Sequence, residues 1–549
     1  MLRSCHLRFG VPSLVASLVI MGGVPMAAHG AVDPAWVEKW TEDLVFAHEV
    51  LRDKHPGPFD ALSPEELQAE FDQLVERLPD LDHHEVIVDL ARIVARVEDG
   101  HTRLTLPLGA GVDFMQGHSE TESPSLPEMS FHQYPVRFGI DSQGIWVQGV
   151  SKDLQQFLGG RMVAIDGRSA EEVMELVRPT LQRDNEMQVL HHLPMHLVLP
   201  ELLHARGATD SAERATFTIE KRDGSVEQVT LSKVPEEASL DWMEVGPASG
   251  ASMPLATQRN DENFWFTYVE PLRIVYLQFN TVYDSQDETI RQFSERLASF
   301  LDEVPASTLV IDLRQNRGGN QSLALPLLHA VIGSSQNRAG HLFTLIGRTT
   351  FSAAMNFSLL MEKHTQTLFV GEPTGSKPNH YGDSRKHLLP NSNVTLRIST
   401  LYWQWNPRDS RKWIEPHIDA PPSLEAELAG DDPAMELIEA LTAADVATGE
   451  IDGEWRGNLP PASYGRDSVL RLETSPESIQ ATVDIPAFGM SVAPIDNLAI
   501  DSGKISFQIP VGPETVSYQG KITGRWIVGQ ADLGSVRFPF FLERMSSEP

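Results

Sequence analysis

Cysteine is almost absent from this chain, whose 549 residues contain only Cys5, close to the N-terminus. A disulfide framework, a thiolate metal site and a cysteine nucleophile are therefore excluded from the rest of the chain. Positive charge is also sparse, because 44 lysines and arginines accompany 76 aspartates and glutamates and leave a formal net charge of −32. Nucleic acid and anionic membrane surfaces repel so acidic a protein, and we expect neither as a partner.

The apolar run near the N-terminus is too short and too broken by glycine and Pro25 for a membrane span. Arg3 and Arg8 precede this run, and small residues around Ala28 follow it, which is typical of a secretory signal. We expect residues 1–30 to be a cleaved signal peptide. The mature protein is then periplasmic or extracellular, without stable membrane insertion.

The length of the chain exceeds what one hydrophobic core usually organises, so three or four domains are expected. Residues 31–107 show helical periodicity, whereas residues 108–236 combine an exposed loop with alternating strands. Residues 237–443 alternate strands and helices, and residues 444–549 contain short strands at the spacing of an all-β barrel or sandwich. The predicted fold class is α/β (α+β) and multidomain.

Ser352 lies between small and β-branched residues and a helical segment that begins at Ala353. A serine before a helix N-terminus sits where peptide N–H groups point outward and stabilise negative charge, which suits a nucleophile. The simpler interpretation is that Ser352 only caps the helix.

Two neighbouring segments support the first interpretation. An apolar strand ends before Gly318 and Gly319, and paired glycines let backbone N–H groups approach a ligand, as an oxyanion hole requires. Lys377 follows the next strand. It can act as general base for Ser352 only if burial lowers its pKa enough to leave a neutral amine.

Three motifs in this order resemble the C-terminal processing or tail-specific serine peptidases. They are LVIDLRQNRGGN (residues 309–320), TTFSAA (residues 349–354) and GEPTGSKPNHYGD (residues 371–383). The resemblance covers residues 269–418 and implies a ClpP/crotonase-like peptidase core with an αβ sandwich. It also implies a peptide or protein substrate, with no cofactor and no metal.

The same resemblance implies hydrolysis through an acyl-enzyme on Ser352, with Lys377 as general base. Backbone N–H groups of Gly318 or Gly319 and of Ala353 would form the oxyanion hole.

His101 is a second candidate base. It lies in an Asp-Gly-His-Thr segment that by itself favours a surface turn. In tricorn-like relatives a histidine in this region is the base for the serine, oriented by a glutamate. The corresponding position here falls near Ser410, with Asp409 beside it, so the chain departs from that pattern.

Residues 158–177 resemble the second half of a PDZ domain, interrupted by an insertion over residues 183–209. Within this insertion His192 and His196 lie one helical turn apart, but Pro194 separates them and no acidic third ligand is near. Solvated histidines are the favoured interpretation over a metal site. The C-terminal segment resembles lipocalin-like accessory domains.

The alternative function is a catalytically silent periplasmic binding or scaffold protein for an apolar ligand or a peptide. Relatives of this core include retinoid-binding repeats, which carry apolar ligands. The presence of both Ser352 and Lys377 favours the enzyme, because a binder needs neither.

Overall fold

The computed structural model describes residues 33–109, 112, 127–236, 238–247, 253–442, 451–460, 467–475 and 479–545. The predicted signal peptide and most of the exposed loop that was predicted at the start of residues 108–236 lie outside these ranges. Within them, no helix combines the length and apolarity that crossing a membrane requires.

Three helices open the described chain, and each begins at a side chain that caps it. They are α1 (Pro34–Lys54), α2 (Pro64–Arg77) and α3 (His83–Ala95). Ser63 and Glu66 form a capping box at α2, and Asp82 and Glu85 form another at α3. The short strand β1 (Arg103–Thr105) follows.

The next segment is a twisted antiparallel sheet with helices between its strands. Its elements are β2 (Val136–Asp141), β3 (Gly144–Ser151), β4 (Arg161–Ile165), β5 (Arg168–Ser169), α4 (Ala170–Val177), α5 (Glu186–His196), α6 (Pro200–Ala205), β6 (Arg214–Glu220), β7 (Val226–Ser232) and β8 (Trp242–Glu244). The strand order is β2-β3-β4-β6-β7, with β5 beside β4 and β8 beside β3. Its core is continuous with that of α1–α3.

The central segment alternates strands with helices. Its elements are β9 (Phe264–Val269), β10 (Ile274–Phe279), α7 (Ile290–Glu303), β11 (Thr308–Asp312), α8 (Leu325–Gly333), β12 (Leu342–Ile346), α9 (Ala353–His364) and β13 (Leu368–Gly371). It continues with β14 (His380–Gly382), β15 (Arg385–Leu388), β16 (Thr395–Ile398), β17 (Leu401–Trp403), β18 (Ile418–Asp419), α10 (Leu424–Ala429) and α11 (Pro433–Thr442).

The central sheet has the order β18-β13-β12-β11-β10-β9, and only β9 runs antiparallel to its neighbour. Every residue of β10, β11, β12 and β13 is buried, as expected for parallel strands covered on both faces. Helices α7–α9 cover one face. The other face packs against α11 and against Val528 and Phe541 of the C-terminal segment.

The C-terminal segment is one long antiparallel sheet that curls towards a barrel. Its strands are β19 (Gly453–Asn458), β20 (Ser468–Thr474), β21 (Ile479–Ile485), β22 (Met490–Pro494), β23 (Asp496–Asp501), β24 (Lys504–Val511), β25 (Glu514–Thr523), β26 (Trp526–Leu533) and β27 (Val536–Arg544). Its concave side is filled by large side chains, among them Trp455, Phe507, Tyr518 and Phe540.

The predicted mixed α/β multidomain class is confirmed, and so is the all-β character of the C-terminal segment. The domain boundaries, the PDZ-like identity of the second segment and the lipocalin likeness stay predictions.

Candidate active site

Three loops leave the central sheet at the same edge because β11, β12 and β13 run parallel. The loop after β11 carries Gly318 and Gly319, the loop after β12 carries Ser352, and the loop after β13 carries Lys377. Ligand sites of open parallel sheets form outside the carboxyl ends of the strands. The topology therefore gathers three motifs that are distant in sequence.

Ser352 occupies the N-cap position of α9 but does not cap it, because its side chain makes no capping hydrogen bond. Its backbone has φ 56° and ψ −122°, a rare conformation for a residue with a side chain. Such strain is typical of functional sites. The capping interpretation of Ser352 is therefore wrong, and its hydroxyl is left for another use.

The glycine loop packs directly against this serine. Gly318 has φ 104°, and a Cβ placed on it would lie 2.7 Å from the Cβ of Ser352 and 2.8 Å from the backbone nitrogen of Ala353. Buried Asn316 holds the loop, because its amide donates to the carbonyl of Phe279 (2.7 Å) and its Oδ1 accepts from the N–H of Gly318 (2.8 Å). Only glycine, which has no Cβ, lets the glycine loop come this close to Ser352 and Ala353.

The peptide between Gly318 and Gly319 has a fixed orientation. Its carbonyl accepts from the N–H of Val282 (2.8 Å) and from the hydroxyl of Thr281 (3.1 Å). Because the two polar groups of a trans peptide point in opposite directions, the N–H of Gly319 points away from Val282. The N–H of Gly318 is already bonded to Asn316.

His101 contacts the loop that carries Ser352, because its ring stacks on the ring of Phe351, the residue before Ser352. The two rings stack with centroids 4.3 Å apart, and a second stack with His380 has a centroid distance of 5.8 Å. His101 is 9% exposed, and within the described part of the chain neither ring nitrogen has a hydrogen-bond partner. Burial lowers the pKa of His101 to about 4, against the opposing charge of Asp99, so the ring is neutral at pH 7.

Asp99 is the carboxylate next to this imidazole. Its Oδ1 accepts from the backbone N–H of His101 (2.9 Å) and lies 4.0 Å from the Nδ1 of that ring. Its Oδ2 accepts from the Nε2 of buried His55 at 3.2 Å, while the N–H of Gly57 donates to the Nδ1 of His55. Burial alone would raise the pKa of Asp99, but His55 and His101 hold it below its usual value.

Lys377 is half-buried, and a backbone carbonyl holds its amine. Its Nζ donates to the carbonyl of Glu98 (3.2 Å), and its backbone N–H contacts the carboxylate of Asp184 at 3.4 Å. Asp184 also accepts from the hydroxyl of Ser376 (2.6 Å) and from the N–H of Gly100 (2.9 Å). Asp184 therefore ties the loop of His101 to the loop of Lys377.

In tricorn-like relatives the orienting glutamate corresponds to a position near Ser410. The carboxylate beside that position, Asp409, pairs with other residues. Asp409 forms an ion pair with Arg411 (2.8 Å), which in turn pairs with Glu362 (2.7 Å). This set is structural, and among the described residues it makes no ring contact or ion pair with His101. Asp99, from the same turn as His101, is the nearer carboxylate.

The expectation of solvated histidines in the insertion is wrong. His192 and His196 lie on α5 and are half-buried, and burial lowers the pKa of both. Pro194 is accommodated inside this helix.

Four residues of the site were missed from the sequence, namely Phe351, Asp99, Asp184 and His380. Asp99 and Phe351 adjoin predicted residues, so adjacency was an available signal. His380 lies in the third motif, close to Lys377, whereas Asp184 reaches the site only through the tertiary fold.

No family model and no curated protein matches the chain. Solved structures do match, and they include a C-terminal processing protease, that of photosystem II D1, at 13% identity and a TM-score of 0.33, covering 72% of this chain and 98% of that one.

Structures of CPAF match the chain with higher TM-scores. Mature CPAF in complex with lactacystin is 11% identical, with 74% of this chain and 98% of that chain covered, at a TM-score of 0.51. A serine-to-alanine mutant of CPAF is 12% identical, with 74% and 97% covered, at a TM-score of 0.50. The chain shares the fold of CPAF, and the resemblance that the motifs carry is confirmed at the level of fold.

Proposed function

We propose that this protein is a serine peptidase that cleaves peptide bonds through an acyl-enzyme on Ser352. The observation that carries the proposal is the conformation of Ser352, a strained serine at a helix N-terminus that does not cap the helix and packs against Gly318. The preceding residue, Phe351, stacks on the neutral ring of His101. The shared fold with CPAF supports the proposal. Export across the inner membrane belongs to the same proposal.

The general base is His101. A ring nitrogen takes the proton of the Ser352 hydroxyl as its oxygen attacks the carbonyl carbon, and later gives that proton to the leaving amine. Water then hydrolyses the acyl-enzyme ester on Ser352, and His101 again takes a proton, now from the water, and returns it to the serine oxygen. Because the Asp99 carboxylate lies 4.0 Å from His101, it stabilises the imidazolium that forms.

Lys377 remains the second candidate base. Its Nζ is engaged with the carbonyl of Glu98, and this contact supports an anchoring role better than a catalytic one. The oxyanion is held by the N–H groups of Gly319 and Ala353, since the N–H of Gly318 is already bonded to Asn316.

A fluorophosphonate probe tests the nucleophile. Wild-type protein is expected to form a covalent adduct that mass spectrometry assigns to Ser352, whereas Ser352→Ala and heat-unfolded protein give none. Folded protein that does not react would contradict the proposal and favour a binding protein.

Paired variants test the base. His101→Ala is expected to lower kcat for a peptide substrate by about 1000-fold or more, because the serine then lacks proton transfer. Lys377→Met is expected to keep most of kcat, and circular dichroism checks that both variants fold. Loss of turnover in Lys377→Met with retention in His101→Ala would assign the base to the lysine.

A further inference from the structure

His55 directly follows the first helix of the chain and lies next to the proposed catalytic groups. Its backbone N–H donates to the carbonyl of Leu51 (3.3 Å) at the end of α1. Its side chain is fully buried, and so is that of Asp99. Burying a histidine and a carboxylate costs free energy unless both are hydrogen-bonded. The proposed mechanism uses Asp99 and so far assigns no role to His55.

The hydrogen bonds of the His55 ring define its tautomer. Its Nδ1 accepts from the backbone N–H of Gly57 at 3.1 Å, so this nitrogen carries no proton. The proton of the neutral ring is therefore on Nε2, which lies 3.2 Å from Oδ2 of Asp99. The ring donates to the carboxylate, and this contact requires no positive charge on His55.

Two donors fix the orientation of the Asp99 carboxylate. Its Oδ2 accepts from the ring of His55, and its Oδ1 accepts from the backbone N–H of His101 at 2.9 Å. In this orientation Oδ1 lies 4.0 Å from Nδ1 of His101, within range of charge attraction but too far for a hydrogen bond. The backbone donor belongs to the same turn as Asp99, whereas His55 reaches the carboxylate from a different element. The hydrogen bond from His55 therefore anchors the turn from outside.

His55 also favours the ionised form of Asp99. Burial raises the pKa of Asp99, and the hydrogen bond from His55 is the strongest opposing influence, ahead of the charge of His101. A protonated Asp99 could not stabilise the imidazolium that forms when His101 takes the proton of Ser352. Loss of His55 would therefore weaken the charge on which the proposed mechanism depends.

Strand β14 places the two histidines relative to each other. The ring of Tyr381 packs on the ring of His55, with centroids 4.6 Å apart. Tyr381 lies in β14 between His380 and Gly382. His380 stacks on His101, and a Cβ at Gly382 would lie 3.9 Å from Cε1 of the same ring. Consecutive residues of one strand thus contact both His55 and His101.

We propose that His55 is a positioning residue of the active site: its Nε2–H holds Asp99, and through Asp99 it supports His101 as the base for Ser352. The segment of α1–α3 then takes part in catalysis as well as in packing. This inference rests on the proposed peptidase function, with His101 as the base.

The rate at which a fluorophosphonate reacts with Ser352 tests this role in the full-length protein. His55→Leu removes the donor, and kinact is expected to fall about 10- to 100-fold, which corresponds to one lost hydrogen bond to a charged group. KI is expected to stay unchanged, because the buried side chain of His55 does not face the probe. His55→Gln keeps an amide N–H near the position of Nε2 and is expected to react within about threefold of the wild-type rate.

His84→Leu is the matched control for lost packing. His84 is a half-buried histidine of the same helical segment, with Nε2 3.0 Å from the carbonyl of Ser130 and its ring against Phe131. Its replacement is expected to lower the unfolding temperature and to leave kinact unchanged, and circular dichroism checks that each variant folds. If His84→Leu slows the reaction as much as His55→Leu, or if His55→Gln is as slow as His55→Leu, packing explains the effect and the positioning role is wrong.

A spectroscopic measurement tests the donor without kinetics. In protein with ¹⁵N-labelled histidine, the ring of His55, assigned from the signals missing in His55→Gln, is expected to carry its proton on Nε2 and none on Nδ1. The opposite tautomer would overturn the proposal. Wild-type protein that does not react with the fluorophosphonate would contradict the peptidase proposal itself. A reactive wild type with an equally reactive His55→Leu would contradict only the role of His55.

Discussion

At the scale of single residues, the backbone of Ser352 is the most informative feature. A positive φ at a residue with a side chain costs on the order of 1–3 kcal/mol, and the surrounding contacts have to compensate for it. Here the N–H of Phe351 donates to the carbonyl of Asn316 (3.1 Å), and α9 begins immediately afterwards. The loop of Asn316 and Gly318 therefore fixes the conformation of the serine.

Gly318→Ala tests this packing. The added methyl group meets the Cβ of Ser352, and φ 104° is strained for alanine. We expect kcat to fall about 100-fold or more, because the oxyanion donors are displaced, and stability to fall by about 1–3 kcal/mol. Kinetics and urea unfolding measure the two effects. Gly333→Ala, where a Cβ meets open space, is the control; wild-type kinetics in Gly318→Ala would refute the packing argument.

The buried imidazole of His101 predicts a pH dependence of stability. Its pKa is about 4 in the folded protein, whereas an exposed histidine of the unfolded chain has a pKa of about 6.5. The unfolded chain therefore binds more protons than the folded protein as pH falls through this window. The free energy of unfolding decreases below pH 6.5, and His101 alone accounts for about 2 kcal/mol at pH 5.

His101→Phe isolates this contribution because it keeps an aromatic ring against Phe351 and removes the titration. The decrease in unfolding free energy between pH 7 and pH 5, measured in urea, is expected to be smaller by about 2 kcal/mol in this variant. An unchanged decrease would mean that His101 is protonated in the folded protein at pH 5.

At the scale of elements, the N-terminus of α5 connects the loops of the site. Asp184 accepts hydrogen bonds from the loop of His101 and from the loop of Lys377. The amide of Asn185 donates to the carbonyls of Thr374 (3.0 Å) and Lys412 (2.8 Å). Residues 183–209, which the sequence predicted to be an insertion, are thus part of the architecture of the site.

Asp184→Asn weakens this connection, since an amide cannot accept all three hydrogen bonds that the carboxylate takes. We expect stability to fall by about 1–3 kcal/mol and kcat to fall more than KM rises, because the loops lose their relative placement. Asp287→Asn, an exposed position, is the control. Equal effects of both substitutions on kcat would indicate that charge, not the connection, is responsible.

Sequence patterns anticipated the local parts of this site and missed its long-range parts. The motifs around Gly318, Ser352 and Lys377 follow from strand and turn chemistry, and the structure brings these loops to one sheet edge. The placement of Lys377 depends on Asp184, a contact between distant parts of the chain that periodicity does not encode. The burial of His192 likewise depends on tertiary packing.

At the scale of the whole molecule, the C-terminal sheet is packed onto the central sheet. Val528 and Phe541 lie in one apolar cluster with Phe343, Leu368 and Met435. The amide of Gln366 also donates to the carbonyl of Arg537 (3.1 Å). The two segments therefore stabilise each other.

A chain ending at residue 442 tests this dependence. Removing the C-terminal segment exposes side chains of the central segment that Val528 and Phe541 cover. If the newly exposed apolar area equals that of two large side chains, the loss of stability is about 3 kcal/mol or more. We expect a lower melting temperature and increased binding of an apolar dye. A truncated chain as stable as the full one would show that the C-terminal segment is an independent attachment.

Strand β1 pairs with β16, although the chain between Arg103 and Arg397 forms the whole second segment and most of the central segment. His101 therefore takes its place only after ribosomal synthesis has passed β16, well after Ser352 has been made. Pairing of such distant strands is also slow. In the proposed mechanism, the nucleophile Ser352 is therefore synthesised before the strand pairing that positions its base His101 can form.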